Sequence, residues 1–117
     1  MTTTRVNRRI YRIQAEILKA LSHPVRLEIL HLIGDREVSF SKLLLALGIP
    51  KTNLSQQLAV LRKAHIVTDR REGVNMFYRA SFPEIAEACN FVGEALAKHF
   101  IHVGEQAKVL LREAGRR

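Results

Sequence analysis

The tripeptide Gly48-Ile49-Pro50 restricts what this chain can fold into, because it leaves room only for a tight turn between two helix-patterned segments. Glycine closes a helix in the left-handed region, and proline is suited to the entry of the next. Upstream lies SFSKLLLAL (39–47), with Ser39 placed to cap a short helix that ends at Gly48. Downstream, KTNLSQQLAVLRKA (51–64) repeats leucine at Leu54, Leu58 and Leu61. That spacing, i, i+4 and i+7, predicts one buried stripe. The opposite face then carries Thr52, Gln56, Ala59 and Lys63, with Asn53 and Ser55 near the start and no acidic residue. Two helices joined in this way form the helix-turn-helix pattern. Amide side chains on the second can bond two atoms of an adenine edge in the major groove, and small residues let the helix lie close to the bases. A polar face that only meets solvent would have the same composition, so the neighbouring segments have to decide.

Beyond Ala64 the apolar period changes from helical to alternating. Residues 66–70 and 75–79 read as two strands, and 71–74 as the turn between them, where Gly73 supplies the positive φ of a hairpin. A basic two-stranded wing after a helix-turn-helix makes a winged helix. Arg70, Arg71 and Arg79 are then candidates for phosphate or minor-groove contact, the alternative being exposed hairpin arginines with no partner. On the N-terminal side, Ile10, Ile13, Ile17 and Leu21 follow helical spacing and predict helix one. Ser22-His23-Pro24 supplies a cap and a first-turn proline for a second helix, which runs through Val25, Ile29, Leu32 and Ile33 and closes at Gly34. Residues 35–38 read as a polar connection.

From Ser81 and Pro83 onward, Ile85, Cys89, Val92, Leu96, His99, Val103, Gln106 and Leu110 step alternately by four and three residues, a heptad seam interrupted by polarity at His99 and Gln106. A helix of this length cannot bury its stripe on so small a domain. It is expected to pack on a second copy, together with helix one, through Ile13, Ile17, Cys89, Val92, Leu96, His99 and Val103. A two-fold dimer would offer two recognition helices to successive major grooves, which matches an inverted repeat. The expected architecture is mainly α with a small β-hairpin wing, dimerising through the N- and C-terminal helices. A flexible basic arm occupies 1–9, a single winged helix-turn-helix domain 10–112, and a frayed tail 113–117.

The charge balance agrees with a polyanionic partner. Nineteen Lys and Arg against 11 Asp and Glu give a formal +8, which favours phosphate neutralisation and counterion release. The single cysteine, Cys89, cannot form an intramolecular disulfide and fits a reducing compartment. The start, MTTTRVNRRI, lacks the apolar stretch of a signal peptide, and no run is long enough to cross a bilayer, so a cytoplasmic location is expected. No nucleophile, base and orienting group share a recognisable spacing, and no glycine-rich phosphate loop is present, which argues against an enzyme.

Three blocks, LKALSHPVRLEILHLI, LGIPKTNLSQQLAVLRKAHIV and DRREGVNMFYRAS, together resemble the ArsR/SmtB family of bacterial winged-helix repressors. The resemblance implies a cytoplasmic homodimer of a bacterium or archaeon, bound to an inverted-repeat operator in double-stranded DNA and released by an inducer. By the family pattern, Lys51, Thr52, Asn53, Ser55 and Gln56 read bases, with Lys63 on the same face, and the wing arginines hold the backbone. Two positions depart from that pattern. Gln57 stands where relatives often carry His, and His65 stands where they usually have Gly, so His65 is expected in a left-handed conformation.

The resemblance also bears on sensing. Many relatives bind metal through a Cys-x-Cys on the third helix, and SFSKLLLAL has no thiol. A second family site pairs ligands from the last helices of both subunits. His102 and Glu105 match one half of it and His99 lies a turn earlier, making the three a candidate site for Zn(II) or another divalent metal. Counting back by the family spacing for the other half reaches Cys89 and Phe91, and Phe91 cannot coordinate. Cys89 is a candidate redox sensor through modification or an intersubunit bridge, against its reading as a small seam residue. The expected function is a homodimeric sequence-specific repressor whose inducer, a metal ion or a reactive species, is not identified by the sequence. The alternatives are an architectural DNA-binding protein without a ligand switch and a winged-helix module that binds protein.

Overall fold

The computed structural model describes residues 7–103 and Arg112. Its contacts cluster into two units, Met1–Ala86 and Glu87–Arg117. In chain order the elements are α1 (Arg8–Leu21), α2 (Pro24–Ile33), β1 (Val38–Ser39), α3 (Phe40–Leu47), α4 (Lys51–Lys63), β2 (Val67–Glu72), β3 (Asn75–Ala80) and α5 (Pro83–Val103). The first unit is a winged helix-turn-helix, as expected.

Helix α1 starts two residues earlier than its apolar spacing indicated, because Asn7 Oδ1 accepts the Arg9 N–H at 3.0 Å and caps it. It buries only Leu21, while Ile10, Tyr11, Ile13 and Leu18 are each more than half exposed. Ser22 ends α1, with its N–H on the Lys19 carbonyl at 3.1 Å. The cap of α2 is instead His23, whose Nδ1 accepts the Val25 N–H at 3.1 Å, and Pro24 fills the first helical position as its missing N–H allows.

The core of this unit is built from Ile29, Leu30 and Ile33 of α2, Leu43 of α3, and Leu54, Leu58 and Leu61 of α4, together with Ile66 and Val67, all fully buried. The predicted leucine stripe of α4 is therefore the surface that seats it. Gly48 takes the left-handed conformation, φ 63°, and donates its N–H to the Leu44 carbonyl at 3.0 Å. This lets the chain reverse through Ile49 and Pro50 into α4.

The sequence reading missed one strand. Val38 pairs with Tyr78 and Ser39 with Phe77, so β1 adds antiparallel to β3 and the sheet has three strands in the order β1-β3-β2. Two residues are too few to show an alternating pattern. Ser39 also serves the next element, its Oγ accepting the Lys42 N–H at 3.1 Å to cap α3. The hairpin between β2 and β3 is tighter than the four-residue turn expected. Glu72 pairs with Asn75, leaving Gly73 and Val74 as the loop, and Gly73 carries the positive φ, 64°. Glycine at the first of two loop residues suits a hairpin whose twist matches its strands.

The join of α4 to β2 rests on His65, at φ 63°. Its N–H donates to the Arg62 carbonyl at 3.0 Å and that of Ile66 to the Leu61 carbonyl at 2.9 Å, the paired bonds of a Schellman motif. The expected left-handed backbone is thus present without glycine.

In the second unit, Phe91, Val92 and Leu96 are exposed and Cys89 is half-buried. The side chains of His102 and Val103, and all of Glu105, Gln106, Leu110 and residues 113–117, lie outside the described residues, as does most of the arm, 1–6.

Candidate nucleic-acid interface

Helix α4 is held from behind by three buried leucines, so its outer face is set by the core rather than by its own polar groups. Lys51, Thr52, Ser55, Gln56 and Lys63 are exposed on it. Pro50 stands at the N-cap and makes no side-chain cap bond, so the first-turn N–H groups stay open beside Lys51. An uncapped helix N-terminus carries partial positive charge and suits an anion such as phosphate. Asn53 differs from the other predicted reading residues in being half-buried. Its Oδ1 accepts from Gln57 Nε2 at 3.0 Å, and Gln57 Oε1 accepts from Arg26 Nε at 2.8 Å. Arg26 Nη1 in turn donates to the Ala20 carbonyl at 2.9 Å.

A groove of about 340 Å³ lies between this helix and the wing, lined by Lys51 and Ser55 of α4, Met76 and Tyr78 of β3, Ser41 of α3 and Val74 of the hairpin loop. Tyr78 is buried there. Desolvation, with the charge of Asp69 added, pushes its phenol above the ordinary value. Asp69 is paired directly opposite Tyr78 and also meets Arg62 of α4 at 3.6 Å, an exposed ion pair that bridges helix and strand.

Strand alternation separates the three wing arginines that the sequence presents as equals. Arg71 is paired with Met76, so it shares the face of Tyr78 that meets α4. It is exposed and, among the described residues, has no ion pair. Arg70 is paired with Phe77, and Arg79 with Thr68, on the other face. Arg70 is already engaged. Its Nε and Nη2 donate to the two carboxylate oxygens of Glu37 at 3.0 and 2.8 Å, Nη1 lies 3.5 Å from Glu72, and the guanidinium sits 4.7 Å from the Phe77 ring centroid. The hydrogen bond from Arg70 holds the Glu37 carboxyl below its usual range, with the charges of Arg70 and Arg79 adding to it, and Arg70 is raised in return. Arg79 is exposed. Glu37, Arg62, Asp69 and Arg26 were not singled out in the sequence, where each is one more charge in a polar stretch.

The predicted sensor residues are less fully described. His99 is exposed, with its ring 5.8 Å from that of Phe100. Among the described residues no three His, Cys, Asp or Glu side chains lie close enough to share a metal, while the His102 side chain and Glu105 fall outside them. Burial pushes the Cys89 thiol up, which disfavours the reactive thiolate near neutral pH. Among the described residues no helix is long and apolar enough to cross a membrane.

A helix-turn-helix domain family matches residues 21–70. The HTH-type transcriptional regulator Rv0081 of Mycobacterium tuberculosis is 42% identical over 90 residues, 76% of this chain and 79% of that protein. Its crystal structure superposes with a TM-score of 0.68 over 80% of this chain and 94% of the other. The biofilm growth-associated repressor of Xylella fastidiosa is 42% identical over 76 residues, 65% of this chain and 67% of the repressor. A solution structure from Mycobacterium bovis, Mb0332, is described as a homodimeric winged helix-turn-helix DNA-binding domain and a possible ArsR-family transcriptional regulator. It matches with a TM-score of 0.71 at 27% identity, over 86% of this chain and 95% of that one.

Proposed function

The chain belongs to the ArsR/SmtB family of helix-turn-helix transcriptional regulators, and on that footing we propose that it is a homodimeric repressor that binds an inverted-repeat operator. As a DNA-binding transcriptional regulator it is not an enzyme. The observation that carries the reading is the outer face of α4, where an uncapped N-terminus, Lys51, Thr52, Ser55 and Gln56 stand exposed without an acid, beside a wing that carries Arg71 on the sheet face of Tyr78. Thr52, Ser55 and Gln56 enter the major groove and, with Asn53, read base edges. Lys51, Lys63 and Arg71 neutralise phosphates. Arg79 is a further backbone contact from the outer face of the wing, and Arg70 reaches phosphate only by giving up Glu37.

The dimer is formed by surfaces that would otherwise leave large apolar side chains in water. Ile10, Tyr11, Ile13 and Leu18 on α1, and Phe91, Val92 and Leu96 on α5, are covered by a second copy. Ile17, Cys89, His99 and Val103 complete that interface. The similar Mycobacterium bovis domain, Mb0332, is homodimeric, which supports the same assembly here.

The test is competition between a selected operator and random duplex across a salt series. A repressor holds its operator at least ~10³ times more tightly than random DNA; equal affinities at every salt concentration would leave an architectural DNA-binding protein in its place. Release by an inducer is checked on the same complex. The metal content of the purified dimer is measured first, followed by operator affinity with and without Zn(II) and with a thiol oxidant. Loss with Zn(II) that the His102→Ala variant no longer shows assigns sensing to the His99, His102 and Glu105 set, and loss with the oxidant that Cys89→Ser no longer shows assigns it to Cys89.

A further inference from the structure

Asn53 on the reading face is not free to choose which end of its amide it offers. The reason begins on another helix. Arg26 of α2 has only donors, so the Gln57 atom that meets its Nε at 2.8 Å has to be the carbonyl oxygen. That fixes the Gln57 amide, and its Nε2 is the end left to meet Asn53 at 3.0 Å. An NH2 group can only donate, so the Asn53 atom facing it has to be Oδ1. Arg26 is itself anchored by a second bond, from Nη1 to the Ala20 carbonyl at the end of α1. The direction of every bond in the chain therefore follows from the guanidinium, and does not depend on how either amide was assigned. Among the described residues nothing accepts from Asn53 Nδ2.

We propose that Arg26 and Gln57 polarise Asn53, so that it presents its Nδ2 donor to the floor of the major groove and the protein discriminates against cytosine at that base. The inference rests on α4 being the reading helix. In the major groove guanine offers two acceptors, thymine one and adenine an acceptor beside a donor, whereas cytosine offers only its N4 donor. A donor held toward the base is satisfied by the first three and faces another donor at cytosine. Gln57 acts as a positioning residue, and the sequence preference is read by Asn53.

The experiment is selection from a randomised operator library with the full-length parent and with Asn53→Ala, Gln57→Glu and Arg26→Met, after thermal melting has checked that each folds. Asn53→Ala identifies the position, as the one whose preference disappears. At that position the parent is expected to rank cytosine last, by roughly tenfold. Gln57→Glu keeps an acceptor for Arg26 but has no donor, so Asn53 turns over to give Nδ2 to the carboxylate and Oδ1 to the base. Cytosine should then rise to equal or exceed guanine and thymine, whatever uniform loss the added charge brings. Arg26→Met lets Gln57 turn either way, and the penalty on cytosine should flatten without reversing. Asn53→Ala erasing no preference, cytosine unpenalised in the parent, or cytosine unmoved by Gln57→Glu would each overturn the proposal while leaving the repressor assignment in place. A parent that selects no sequence at all would remove both.

Discussion

His65 is the one described non-glycine residue at positive φ, and replacing it by glycine should stabilise the protein. A left-handed L residue costs about 1–2 kcal/mol, and histidine, tolerated there more often than most, belongs near the lower end. Glycine removes that cost but returns roughly half of it through its greater freedom in the unfolded chain. The imidazole is exposed, so little packing is lost. The two backbone bonds of the Schellman motif, at 3.0 and 2.9 Å, come from the main chain and survive the change. The net gain is on the order of 0.5 kcal/mol, with about 1 kcal/mol as the ceiling. Urea titrations of parent, His65→Gly and His65→Ala, at one protomer concentration because dimer stability depends on it, give the comparison. With a slope near 1–2 kcal/mol per molar, the glycine variant should move the midpoint up by about 0.3–0.5 M. Alanine keeps the left-handed cost and should move it down or not at all. Equal gains from glycine and alanine would refute the conformational argument, since they would trace the effect to loss of the imidazole.

Gln56→Ala should cost about 1–3 kcal/mol at one base position, whereas Arg71→Ala should weaken all sequences alike and lower the salt slope by about one; equal losses on every sequence for both would cancel the assigned roles. Glu37→Gln should strengthen binding to random duplex and steepen its salt dependence by about 0.9, by releasing Arg70 to a further phosphate; weaker binding would mean that the pair aligns the wing instead. The same pair has a pH signature. The Glu37 carboxyl is depressed in the folded protein, so its contribution to stability is complete above the unfolded carboxylate value and is lost as pH falls through the folded one. Glu37→Gln should therefore flatten stability against pH on the acid side only, as followed by urea midpoints. Ile13→Asp and Leu96→Glu place a charge on the exposed apolar stripes of α1 and α5, and each should convert dimer to monomer in sedimentation and weaken operator binding; a dimer unchanged by both would put the interface elsewhere.

The parts of the fold that were legible in the sequence are those that a single short stretch determines. The leucine spacing of α4 and the glycines at positive φ after α3 and in the hairpin depend on residues a few places apart, whereas the left-handed position of His65 was expected only from the family resemblance. β1 was not legible, because two residues carry no period and its pairing with β3 depends on contacts nearly forty residues away. The proposed DNA face was legible as a set of residue types but not as a set of states. Charge alone made Arg70, Arg71 and Arg79 equivalent, and the register of one hairpin places Arg71 on the α4 side and leaves the other two on the reverse. Composition likewise made Asn53 one of several polar readers. Arg26, on another helix and 31 residues from Gln57, makes it the one whose hydrogen-bonding direction is fixed before DNA arrives. If Asn53 reads a base as proposed, a substitution at Arg26 on α2, away from the reading face, should therefore alter which base this protein chooses without touching the residue that reads it.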